Sequence, residues 1–154
     1  MVLKGVPMAL KIVYQICCGI DVHKTFVVAC IASTNKQGVT TYKRHRFSTF
    51  TQGLKELLQW LLDNQCKDVC MESTGKYWIP IYNVLEKDCN IVLAHPKYVK
   101  AIRGKKTDKK DAKWIADLSK HVLVAGSFMP LADIKQLRDL MSYRFKLTCF
   151  MSSE

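Results

Sequence analysis

The chain is poor in turn-formers, with 7 glycines and 4 prolines, and it has no long apolar run. Its longest nearly unbroken apolar stretch, Phe26 to Ala32, is far below the roughly 18 residues that a membrane span needs. These absences exclude a linker-rich or collagen-like chain and an integral membrane protein. Met1 to Gln15 carries Lys4 and Lys11 but neither an uninterrupted apolar core nor a small-residue cleavage site, so the expected compartment is the cytoplasm. Acids are scarce as well: 13 Asp plus Glu face 24 Lys plus Arg, a formal charge of +11. Over 154 residues, 49% apolar and 24% charged positions are close to globular averages, enough for one domain with a core. The 7 cysteines, an odd number, read as thiols and not as a disulfide framework. Cys66 and Cys70 are four apart, but no second pair at ligand spacing follows, which argues against zinc.

Tyr14 to Val22 and Thr25 to Ser33 are rich in β-branched and apolar residues, and Asn35-Lys36-Gln37-Gly38 supplies hairpin chemistry before a third strand, Val39 to Phe47. Leu54, Leu57, Leu58, Leu61 and Leu62 then recur at helical spacing, with Thr51 as the expected N-cap. Asp68 to Ser73 reads as a strand, Tyr77 to Lys87 as a helix that tolerates Pro80 only in its first turn, and Ile91 to Ala94 as a strand. Helices follow over Asp108 to Lys120 and Asp133 to Leu147, separated by an apolar segment from Val122 to Met129. Three antiparallel strands followed by βαβ units and a C-terminal helix make an α/β fold, and the order matches a ribonuclease-H-like mixed sheet. The expected organisation is an N-terminal extension over 1–12, that domain over 13–129, and the start of a helical segment over 130–154.

Four carboxylates stand where such a fold gathers them. Asp21 interrupts an apolar strand, where β-propensity alone would not place an acid. Glu72 ends a strand ahead of Ser73-Thr74-Gly75, at the carboxyl edge where open α/β sheets bind ligands. Asp108 and Asp111, three apart, share one helical face about 4.5 Å apart along the axis, and a cation between them would relieve their repulsion. With no His or Cys at ligand spacing, Mg²⁺ or Mn²⁺ is the natural cation. Taken singly, Asp108 also suits a helix dipole and Glu72 a solvated turn. His23 shares the strand face of Asp21 by period two, as a neighbour of the metal ligands more than as a ligand.

Cations crowd the same region. Lys97, Lys100, Arg103, Lys105, Lys106, Lys109, Lys110 and Lys113 flank Asp108 and Asp111, with Tyr98 and Trp114 among them. A solvated charged face is the ordinary reading of such a run. Beside candidate metal ligands it also fits a nucleic-acid backbone. Lys43, Arg44, His45 and Arg46 form a second basic set that extends this surface.

Three separated motifs now carry a resemblance: Gly19-Ile20-Asp21-Val22-His23-Lys24; Glu72-Ser73-Thr74-Gly75 with Tyr77 and Pro80; and Ala94-His95-Pro96 through Arg103-Gly104 to Lys106-Thr107-Asp108-Lys109-Lys110-Asp111-Ala112. In this order, within Val13 to Leu147, they resemble the N-terminal domain of bacterial DEDD-type insertion-sequence transposases, the IS110 and Piv/MooV invertase group. The resemblance implies a RuvC-like domain in which Asp21, Glu72, Asp108 and Asp111 bind catalytic Mg²⁺ and cleave and transfer DNA strands. It also implies recombination directed by an element-encoded structured RNA.

Members of that group continue into a second domain with a nucleophilic serine, whereas this sequence ends at Glu154, so the isolated chain is expected not to complete recombination. The alternative is a non-catalytic nucleic-acid-binding and assembly module. A faint likeness of Gly19 to Thr25 to the first phosphate loop of actin-like kinases lacks the Gly-rich adenosine site such a fold needs. The last helix aligns Leu137, Leu140, Met141, Arg144, Leu147 and Thr148, a stripe that either folds back as core or is covered by a following helical segment or a partner, a second copy in a homo-oligomer being expected.

Overall fold

The computed structural model describes residues 14–73, 75–94, 108–120 and 132–153, without the side chains of 108–111 and 132. The N-terminal extension, Thr74, the stretch from His95 to Thr107 and the segment from Val122 to Met129 lie outside the described residues. The elements are β1 (Ile16–Val22), β2 (Phe26–Thr34), β3 (Thr40–Ser48), α1 (Thr51–Asp63), β4 (Asp68–Glu72), α2 (Trp78–Leu85), β5 (Asn90–Ala94), α3 (Asp108–Lys120) and α4 (Ala132–Ser152). They build a five-stranded sheet in the order β3-β2-β1-β4-β5. β1, β2 and β3 pair antiparallel, whereas β1 with β4 and β4 with β5 pair parallel, which is the ribonuclease-H-like α/β arrangement expected from the strand rhythm.

The local causes are specific. Asn35 Oδ1 accepts the N–H groups of Gln37 and Val39, and Gly38 takes φ 83°, so the turn residues close the β2–β3 hairpin. β1 and β2 are central strands covered on both faces, which is why they read as apolar runs and not as alternation. Edge strand β3 alternates only weakly and exposes Lys43, Arg44, His45 and Arg46. Cations on an edge discourage pairing with another sheet.

One face of the sheet, lined by Ile20, Val27, Ile31, Val69, Met71 and Leu93, is covered by α1 through Leu54, Leu57 and Leu61 and by α2 through Ile81 and Leu85. The other face is covered by α3, whose Ala112, Ile115, Ala116 and Leu118 meet Cys17, Val28, Cys30, Cys70 and Ala94. Cys66 and Cys70 therefore fall in different cores on opposite sides of the sheet.

Thr51 is not the N-cap of α1 but its first helical residue; Phe50 caps it in extended conformation without a side-chain bond. The first helical hydrogen bond runs from the Leu54 N–H to the Phe50 carbonyl, and Ser48 Oγ accepts the Phe50 N–H. Gly53 lies so close to Ser48 that a Cβ there would be 2.4 Å from the Ser48 carbonyl oxygen. Leu62 turns outward, leaving the buried stripe to Leu54, Leu57 and Leu61. α2 is shorter than its apolar pattern, because the N–H groups of Asp88 and Cys89 turn back onto the Leu85 carbonyl. α4 runs past Leu147 to Ser152 and leaves its apolar residues open: Leu140 is 66% exposed, Phe145 70% and Phe150 72%. The stripe therefore does not fold back onto the sheet as core. Among the described residues, no helix is long and apolar enough to cross a membrane.

Candidate metal and nucleic-acid site

The site is framed by the close approach of α3 to β1. At Gly19 a Cβ would meet Ala116 N at 2.3 Å and Ala112 O at 2.4 Å, so the helix backbone rests directly on the strand. Cys17 Sγ donates to the Ala116 carbonyl, and the Tyr14 N–H donates to the Lys120 carbonyl. These contacts make α3 antiparallel to β1, with its N-terminal end toward the carboxyl end of the strand. From Ala112 back to Asp108 is about 6 Å of helix, and from Gly19 on to Asp21 is about 6.6 Å of strand. The backbone carrying Asp108 and Asp111 thus reaches the level of Asp21 on the same side of the sheet.

β1 and β4 are parallel neighbours in the register Gly19↔Cys70 and Ile20↔Met71, so Asp21 and Glu72 follow one step on, side by side. Cys70 packs against Ile115 and Leu118 of α3, and the alternation of side chains puts Glu72 on that face with Asp21. Asp21 is only 7% exposed, and its Oδ2 is held 2.9 Å from His23 Nε2. The His23 ring in turn stacks on Phe26 at 4.3 Å between centroids. Asp21 and Glu72 thus lie at the same end and on the same face of the sheet, whereas the side chains of Asp108 and Asp111 lie outside the description. Among the described side chains, no three His, Cys, Asp or Glu groups form a cage for a metal. The donors that do adjoin, two carboxylates, are hard oxygen ligands of the kind Mg²⁺ and Mn²⁺ take.

Of the cations expected to follow phosphates, Lys97, Lys100, Arg103, Lys105 and Lys106 lie outside the described residues, and Lys109 and Lys110 belong to α3 with side chains not described. Lys113 does not stand free. Its Nζ is 3.9 Å from the Asp117 carboxylate and lies over the Tyr42 ring at 4.5 Å. The same Asp117 accepts the Tyr42 hydroxyl at 2.6 Å, and buried Lys120, 3.8 Å away, also donates to Thr40 Oγ1. Burial, and then the bond to Asp117, push the Tyr42 phenol well above its ordinary pKa. This group ties α3 to β3 and so fixes the level at which the helix lies on the sheet. Sequence reasoning passed over it; the spacing Lys113, Asp117, Lys120 on one helix was its only legible sign.

No curated protein matches the sequence. Among solved structures, the chain is similar to Thermus thermophilus RuvC, with 13% identity and a TM-score of 0.47 over 66% of this chain and 90% of that one. RuvC from T. thermophilus in complex with a Holliday junction substrate gives 12% identity and a TM-score of 0.47, covering 67% and 90%. Fowlpox virus resolvase in complex with Holliday junction DNA gives 12% and 0.42, covering 67% and 72%. The sequence model of the IS110 DEDD family, described as transposase, matches residues 18–154, from within β1 to the last residue, and the chain belongs to that transposase family.

Proposed function

We propose that this domain performs metal-dependent DNA strand cleavage and transfer for a transposase, with Asp21, Glu72, Asp108 and Asp111 as the ligands of Mg²⁺ or Mn²⁺. The observation that carries this reading is the adjacency of Asp21 and Glu72 on parallel strands, with the N-terminal end of α3 at the same level. A divalent cation held by these four carboxylates would supply charge stabilisation at a phosphoryl group and activation of an attacking hydroxyl. The chain's own part is to position. His23 orients the Asp21 carboxylate, and the Asp117 group fixes α3 against the sheet. Lys97, Lys100, Arg103, Lys105, Lys106, Lys109 and Lys110 would hold the DNA, and an element-encoded structured RNA would direct it, in the cytoplasm.

The test is cleavage of labelled DNA by the full chain with Mg²⁺. D21N and E72Q are each expected to lose on the order of 10³-fold in rate while still binding DNA. Millimolar Mg²⁺ should raise the melting temperature of the parent and much less that of D21N, since binding stabilises only a folded state that has the site. Unchanged cleavage in both variants refutes the assignment. Binding by a parent chain that never cleaves favours the assembly-module reading.

Self-association through α4 belongs to the same proposal. Nine large apolar residues between Ile134 and Met151 are exposed, more than a monomeric helix ordinarily leaves to water. Light scattering should find a dimer or larger species that L140E/F145E reduces to a monomer with an unchanged melting curve. A parent that is already monomeric at micromolar concentration refutes this part.

A further inference from the structure

Hydrogen-bond register places three residues in one row across the sheet, Asp21 opposite Val28 and Val28 opposite Arg46, and Glu72 follows one step past the last β1–β4 pair, Ile20↔Met71, at the level of Asp21. Neighbours in register share a face, so Arg46 of the edge strand lies on the same side as the carboxylates and α3. Val28 and Cys30, its companions on that face, pack with Phe26 against Ala112. Two strand spacings separate the backbones of Asp21 and Arg46, about 10 Å. The interval is bridged by stacked groups. His23 is hydrogen-bonded to Asp21, the His23 ring stacks on Phe26, and the Arg46 guanidinium carbon stands 3.7 Å from the centre of the Phe26 ring. Among the described residues, no carboxylate pairs with Arg46.

A cation on an edge strand can serve only to keep sheets apart, and for that any lysine would do. Arg46 differs in two respects. The aromatic ring holds its plane, which lowers the entropy cost of ordering it, while the planar fork remains open to a phosphate, a geometry that lysine lacks. It also lies on the same face as the carboxylates, two strands from Asp21, and carboxylates repel any polyanion laid across them unless a fixed cation draws the flanking phosphates. Arg44 follows two residues along the same face of β3, and Lys113 lies over Tyr42 further along it.

Resting on the cleavage reading above, we infer that Arg46, held over Phe26, binds a backbone phosphate of the DNA strand that lies at Asp21 and Glu72, and so sets the position at which that strand is cut. The interaction is with phosphate and carries no base preference of its own.

The experiment uses the full chain and a labelled DNA duplex, with binding measured across salt in EDTA and cut sites mapped in Mg²⁺. R46A is expected to bind about 5- to 10-fold more weakly near 0.1 M salt and to flatten the log–log salt slope by about 0.9, the loss of one phosphate. Its cuts should spread over neighbouring nucleotides. R46Q, which keeps the stacked length without the charge, should match R46A, and R46K should keep the slope but not the sharp cut position. Arg46 is exposed, so the variants should melt as the parent does. An unchanged slope and cut position in R46A and R46Q overturns the inference, as does a parent that binds only RNA of the same sequence or no nucleic acid at all. The two readings fail separately. If D21N and E72Q cleave normally, the carboxylate assignment falls while the salt slope still reports on Arg46; if they abolish cleavage while R46A changes nothing, only the Arg46 inference falls.

Discussion

A single methyl group at Gly19 should leave the domain barely folded. In G19A the new carbon would lie 2.3 Å from Ala116 N, 2.4 Å from Ala112 O and 2.9 Å from the Ile115 carbonyl carbon. All three are helix backbone atoms, so no rotamer change relieves the overlap, and α3 must lift from the sheet as a body. Overpacking usually costs 1–3 kcal/mol when side chains can adjust, and here roughly 3 kcal/mol or more is expected, a large part of the roughly 5–15 kcal/mol that holds a domain together. Ala112 and Ala116 are small, one turn apart, and both are needed for the same approach. A urea midpoint measures the effect. G38A is the control, since Gly38 has positive φ but open space around it and should cost only about 1 kcal/mol. Equal midpoints for G19A and the parent would mean that α3 does not lie where these contacts put it. The lifted helix would also carry residues 108–111 away from Asp21, so cleavage should fall further than the folded fraction does.

The sheet was legible because its signals are local. β-branched runs, a hairpin turn with Asn35 and Gly38, and the leucines of α1 each report on a few neighbouring residues. Asp21 stood out for the same reason, as an acid in an apolar strand, and period two was enough to put His23 beside it. That Asp21 and Glu72 belong together was legible only through the strand order and the resemblance, not from either strand. That Arg46 shares the row of Asp21 follows from the register of β1 with β2 and of β2 with β3, which no single strand encodes. Lys113 shows the same gap on a helix. In the sequence it is one cation in a run; in the fold it sits on the side of α3 that meets β3, where Asp117 and Tyr42 engage it. The N-cap of α1 was not legible because Phe50 caps through its backbone carbonyl alone, which accepts the Leu54 N–H, and carries no side-chain cap that a sequence pattern marks.

Alkaline pH should destabilise the domain steeply above about pH 9. Six of the seven cysteines are buried free thiols. Burial, the largest cause in each case, pushes Cys17 up to about 11 and Cys66 and Cys70 up to about 12 from an ordinary 9.0, and Cys18 rises too. Such groups are kept protonated by the fold and released to ionise by unfolding. Their contribution is therefore fully present below pH 9 and is lost between about 9 and 12, as the unfolded chain gives up protons that the native chain retains. Each of Cys17, Cys66 and Cys70 removes on the order of 1 kcal/mol per pH unit in that window, so the three together remove a few kcal/mol by about pH 10.5, and Cys18 acts in the same direction. Tyr42 adds to the loss, because its phenol must keep a proton to donate to Asp117. Urea midpoints from pH 8 to 10.5 measure the fall, and C70A should flatten it by about one thiol's share. At pH 8 a thiol reagent should modify Cys149 quickly in the native chain and the other six only on unfolding, since only Cys149 is exposed. A midpoint that stays level to pH 10.5, or rapid native modification of more than one thiol, would show that the sheet does not shield these side chains as its packing requires.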